Sequence, residues 1–185
     1  MKIKIETFNK ITQKIFQSLV EKNLIKILSS ESIIQKKILD VFLQDSQKLD
    51  SIDKKTKEMM KQYQGQVQSG EIDYQKMSSM IRTQLLKQAK LSSSVTNYSE
   101  DHLNTIALAI HDKLYHDEDV DYTDDDTSLS QIKKDIISFF ALRDQASEKA
   151  KQKVASLKRN VLPGSSEWHI IFEQYLAEEL RKSGF

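Results

Sequence analysis

The sequence predicts an all-α protein, and three observations carry that prediction. Turn-forming residues are scarce, apolar residues recur at helical spacing along most of the chain, and the pattern is played twice. Four glycines and one proline in 185 residues cannot supply the turns of a sandwich or barrel. Hydrophobic residues are 38% of the chain, charged residues 30%, and mean hydropathy is −0.54, values that suit a chain burying a lean core.

Residues three and four apart share one face of a 3.6-residue turn, so the apolar stripes mark the helices. The first is expected from about Thr7 to Glu21, with Phe8, Ile11, Ile15 and Leu19 inward and Thr7 as N-cap. Leu24 to Leu28 is a short apolar segment that reads as extended. Ser29 and Ser30 then offer a cap for a long helix carrying Ile34, Ile38, Val41 and Phe42, which continues or kinks near Ser51 into Ile52, Met59 and Tyr63. Gly65 and Gly70 are expected to end it. A helix from about Tyr74 to Lys90 follows on Met77, Ile81 and Leu85, and Ser92 to Ser94 read as a linker.

The second half repeats the plan. Ser99 precedes a stripe of Leu103, Ile106, Ile110 and Leu114, an acidic loop follows, and a long helix is expected from about Ser128 through Ile132, Ile136, Phe139, Phe140, Ala150, Val154 and Leu157. Pro163-Gly164 breaks the chain before a last helix with Trp168, Ile171, Phe172, Tyr175, Leu176 and Leu180. A shift of 95 pairs Asn9 with Asn104, Ile11 with Ile106, Ile15 with Ile110 and Leu19 with Leu114. A shift of 97 pairs Lys36-Lys37 with Lys133-Lys134, and a shift of 94 pairs Gly70 with Gly164 and Tyr74 with Trp168. This ordered series predicts two sequence-related helical repeats, 1–95 and 96–185, in a pseudo-twofold arrangement.

Charge is divided between the halves. Residues 1–95 hold 17 Lys and Arg against 10 Asp and Glu, whereas residues 96–185 hold 11 against 17. Without cysteine there is no disulfide, zinc–thiolate site or cysteine nucleophile. The longest nearly apolar stretch, Ile136 to Leu142, is far short of the roughly 20 residues that span a bilayer. Lys4, Glu6, Asn9 and Lys10 interrupt any signal-peptide segment, so a cytoplasmic protein without a membrane partner is expected.

Three stretches carry a resemblance. Asp119-Val120-Asp121-Tyr122-Thr123-Asp124-Asp125-Asp126, Ser156-Leu157-Lys158-Arg159-Asn160-Val161 and Gly164-Ser165-Ser166-Glu167-Trp168 resemble the bacterial family known only as domain of unknown function 507. Ser69-Gly70-Glu71-Ile72-Asp73-Tyr74 is similar to the family's matching segment in its first half. The resemblance covers nearly the whole chain. It implies a helical, bacterial, cytoplasmic protein of two related halves, and it implies no reaction and no catalytic residues.

The residues contain no enzyme constellation. Aligned as an EF-hand, the run from Asp117 puts Tyr122 where the loop turns on glycine and Ser128 where the bidentate Glu belongs. Gly65 to Gly70 has phosphate-loop spacing but places Glu71 where Lys must stand. His102, His111, His116 and His169 read as surface or helix-end residues, and no metal or cofactor is expected. The expected function is therefore non-enzymatic: an adaptor or scaffold that binds another protein, with a partner groove at Trp168, Ile171 and Tyr175 if that face is not core. The alternative is a nucleic-acid- or ribosome-associated factor using the lysine-rich long helices. Electrostatic contacts would come from Lys151, Lys158, Arg159, Asp124, Asp125 and Asp126, and Lys54, Lys55, Lys57 and Lys61 form a second basic stretch. Against this alternative stand a pI of 7.8 and the lack of a nearby aromatic stacking platform, so a solvated helix face is the expected reading of both basic stretches. Self-association is left open.

Overall fold

The computed structural model describes residues 3, 5–89, 91, 98–157, 161–162 and 165–183. Helix α1 (Ile5–Glu21) buries Phe8, Ile11, Ile15 and Leu19, as its stripe requires, and begins two residues ahead of Thr7, which lies in the first turn and not at the cap. Beyond its end Asn23 takes a left-handed conformation, φ 54°, which asparagine tolerates better than most residues. The Leu24 amide then donates to Leu19 O at 2.9 Å, and the chain leaves as strand β1 (Ile25–Ile27).

Ser30 caps α2 (Glu31–Lys61), its hydroxyl accepting from the Ile33 amide at 3.4 Å. The helix runs through Ser51 and stops at Lys61, four residues before Gly65. That glycine belongs to the short α3 (Gln64–Gln68), and Gly70, at φ 78°, makes the left-handed turn that follows it. The Asp73 carboxylate accepts from the Lys76 amide at 2.9 Å and starts α4 (Tyr74–Gln88). Ser99 caps α5 (Glu100–His116), after which Glu118 is left-handed at φ 52°.

The segment expected as an acidic loop contains strand β2 (Val120–Tyr122). It pairs antiparallel with β1, Ile25 opposite Tyr122, Lys26 opposite Asp121 and Ile27 opposite Val120. Helix α6 (Asp125–Ala155) starts three residues before Ser128, because Asp124 supplies the cap: its Oδ1 accepts from the Thr127 amide at 2.6 Å. Ser128 is buried, its hydroxyl donating to Leu24 O at 3.1 Å. Ser165 caps α7 (Ser166–Lys182) through the Trp168 amide at 3.1 Å. The expected linker at Ser92 to Ser94 and the break at Pro163-Gly164 lie outside the described residues.

Contacts gather the chain into two compact units, residues 1–133 and 134–185. In the first, α2 packs against α1, α4 and α5. Its central core includes the α1 stripe, Ile34, Ile38 and Phe42 of α2, and Leu103, Ile106, Ile110 and Leu114 of α5, with Phe8 stacked on Phe42 at 5.5 Å. Farther along α2, Leu49 and Ile52 meet Leu86 in a smaller cluster flanked by Leu85, Leu91 and Tyr98. In the second unit Ala146, Ala150 and Val154 of α6 pack on Ile171, Phe172 and Leu176 of α7.

Candidate functional site

The C-terminal end of α2, the short α3 and the first residue of α4 line an open surface cavity of about 470 Å³. Its floor is apolar, from Met60 and Val67. Lys57 and Lys61, four apart on one face of α2, stand on one side, and Gln64 and Gln68 of α3 project with the same spacing. Tyr74 completes the lining and is 50% exposed. Among the residues that line the cavity two carry ammonium groups and none carries a carboxylate.

The turn at Gly70 makes the cavity possible, since it brings Tyr74 back beside α2. Farther up the two helices, Arg82 Nε donates to Asp53 Oδ1 at 2.8 Å and Leu86 packs on Leu49 and Ile52. Along the stripe expected for α4, Ile81 is buried and Met77 half-buried, while Tyr74, at the helix start, reaches into the cavity. Gly65 is helical, so the glycine pair forms no phosphate loop.

A polar pair missed in the sequence lies where α2 meets α5. His102 Nε2 and Asp45 Oδ2 are 3.0 Å apart, with His102 3% and Asp45 8% exposed. Spacing held the signal, because His102 precedes Ile106 and Ile110 by four and eight positions and Asp45 lies between Val41 and Leu49 at the same interval. Both sit on apolar stripes, and a histidine and a carboxylate on facing stripes can be buried only as partners. His102 lies at a helix end, as one branch of the sequence reading has it, but it is buried and not on the surface.

Three of the seven acidic residues from Asp117 to Asp126 are held by lysines or by a helix cap. Lys37 bridges Asp117, at 3.0 Å, and the buried Asp119; Lys113 lies 3.3 Å from Asp117. The lysine hydrogen bonds hold the Asp117 carboxyl below its ordinary range, and the helix cap at Thr127 does the same for Asp124. Asp125 and Asp126 are exposed in the first turn of α6. Beside them His111 stacks on Tyr122 at 4.2 Å, the Tyr122 hydroxyl donates to His111 O, and Tyr115 is 56% exposed. Burial, then the charges of Asp125 and Asp112, push the Tyr122 phenol up.

In the second unit Trp168 is half-buried and stacks on Phe172 at 4.8 Å, Ile171 is buried, and Tyr175 is half-buried with Lys153 Nζ 5.2 Å from its ring centre. Lys153 and Lys182 together hold Glu178 and the buried Glu179. Lys151 is exposed and bonded to Glu148 at 2.6 Å. Lys158 and Arg159 lie outside the described residues.

No group of three or more metal-ligating side chains is gathered among the described residues, and none of their helices is long and apolar enough to cross a membrane. Over residues 1–185, the whole chain, the sequence matches the family model described as "Protein of unknown function (DUF507)". No curated protein matches it.

Proposed function

The chain belongs to the DUF507 family, whose description names no activity, and on that premise we propose that it is a non-enzymatic binding protein that associates with nucleic acid. The observation that supports this most is the cavity of Lys57, Lys61 and Tyr74, which sets two cations beside an exposed ring with no carboxylate in the lining. Phosphates and bases are recognised by that pairing. The absence of an aromatic platform weighed against both basic stretches in the sequence; at the lysines of α2, Tyr74 supplies one. Fluorescence anisotropy with a labelled 12-nucleotide RNA tests the reading. Binding should weaken steeply between low and physiological salt, and unchanged affinity across that range would sink it.

The adaptor reading has separate support in the exposed Tyr115 and the carboxylates of Asp112, Asp125 and Asp126, which together suit a lysine- or arginine-rich protein segment. A native partner that loses its hold on Tyr115→Ala would favour it.

The same proposal includes a bacterial, cytoplasmic setting, as the family resemblance implies, and an internal duplication. Support for the duplication comes from contacts repeated at the shift of 95. Left-handed Asn23 and Glu118 correspond, as do β1 and β2. The bond from Leu24 N to Leu19 O corresponds to that from Asp119 N to Leu114 O, and the bond from Leu28 N to Asp119 O to that from Thr123 N to Leu24 O. A pseudo-twofold axis through the Lys26–Asp121 pair accounts for all of them.

A further inference from the structure

We infer that the cavity seats one unpaired nucleotide of a single-stranded nucleic acid, its base stacked on Tyr74 and its phosphate held by Lys57 and Lys61. The inference rests on the nucleic-acid reading and specifies the form of the ligand. At about 470 Å³ the cavity lies in the range that encloses a small ligand and not merely a phosphate ion. Its chemistry is divided as a nucleotide's is. Two ammonium groups suit the phosphate, the Tyr74 ring and the Met60 floor suit the faces of a base, and the amides of Gln64 and Gln68 can donate to and accept from base edges.

Base stacking excludes a duplex from this arrangement, because a base within a helix has both faces covered by its neighbours and cannot lie on Tyr74 unless it leaves the stack. A strand can also continue past the cavity. Lys54 lies three residues before Lys57 and seven before Lys61, on the same helical face, so the three cations cover about 10 Å of α2. None of the three forms an ion pair among the described residues, which leaves their charge available to successive phosphates.

An acidic peptide shares the anionic part of this chemistry but has no flat ring at each repeat, and it enters the test as a rival. Anisotropy of the full chain at low salt is measured with labelled single-stranded RNA and DNA 12-mers and a glutamate-rich peptide, with the matching RNA duplex and adenosine monophosphate as competitors. The single strands should bind, and the duplex should compete at least tenfold more weakly. Adenosine monophosphate should displace the strand only at far higher concentration. Tyr74→Ala should weaken strand binding about tenfold, with Tyr74→Phe close to the parent, and Lys57→Gln/Lys61→Gln should weaken it further and reduce the salt dependence. Lys151→Gln is the remote charge control.

Equal binding of duplex and single strand, with no effect of Tyr74→Ala but loss in the lysine double variant, would overturn the nucleotide seat and keep nucleic-acid association. Tight displacement by the mononucleotide would assign the cavity to a free nucleotide and overturn the strand. No salt-dependent binding to any nucleic acid, with the peptide bound instead, would overturn both. Thermal melts of the Tyr74 and lysine variants should match the parent, since these side chains lie at the surface.

Discussion

Trp168 stacks on Phe172 and packs against the second unit's core, whereas Tyr74, 94 positions earlier at another helix start, is half exposed over a cavity. Large-to-small changes cost most where the lost atoms leave a void, so Trp168→Ala should destabilise by about 2–4 kcal/mol and Tyr74→Ala by no more than about 0.5 kcal/mol. Chemical denaturation of the two variants checks both. Glu179 makes a second prediction. Hydrogen bonds from Lys153, then Lys182, pull its carboxyl from the ordinary 4.5 down to about 2. A depressed native pKa means that the unfolded chain binds the proton more readily. The contribution is therefore complete above about pH 4.5 and is lost as pH falls toward 2. Glu179→Gln should lower the melting temperature at neutral pH and flatten its dependence across that acid window, which melts in buffers on either side would show.

At the scale of elements, the two glycines between α2 and α4 do different work. A Cβ at Gly65 or Gly70 meets nothing within 4 Å, so backbone conformation alone decides the outcome. Gly70→Ala forces an alanine into φ 78° and should cost about 1–2 kcal/mol, whereas Gly65→Ala, within helix α3, should stabilise by about 0.5–1 kcal/mol. Opposite shifts in the urea midpoint are the check. Between α2 and α5 the buried Asp45–His102 bond predicts non-additivity. Asp45→Ala alone leaves the imidazole without its partner and should cost about 1–3 kcal/mol, and adding His102→Leu should cost less than the two single changes combined.

For the whole molecule, the divided charge does not by itself make a cation site. Seven carboxylates lie between Asp117 and Asp126, but Asp117 and Asp119 are held by Lys37 and Asp124 by its helix cap. Calcium or magnesium should therefore bind weakly and without fixed stoichiometry; a calorimetric titration with one micromolar site would refute this.

Periodicity made the longer helices legible, and Ser30 was readable as a cap, because a helix closes its hydrogen bonds within a few residues and its buried face follows from spacing. The lysines of α2 and the ring of Tyr74 were equally visible as residues. Their meeting was not, since it depends on α3 and Gly70 reversing the chain. Strand β2 was hidden for the same reason: three residues in an acidic run become a strand only when Ile25 to Ile27, 95 positions away, supply the other half of each hydrogen bond. His102 and Asp45 stood on readable stripes, yet only the packing of α2 against α5 decides that one polar group is buried against the other. Local hydrogen bonding and burial patterns are written in consecutive residues. The cavity, the strand pair and the buried bond join residues distant in sequence, and tertiary packing decided them.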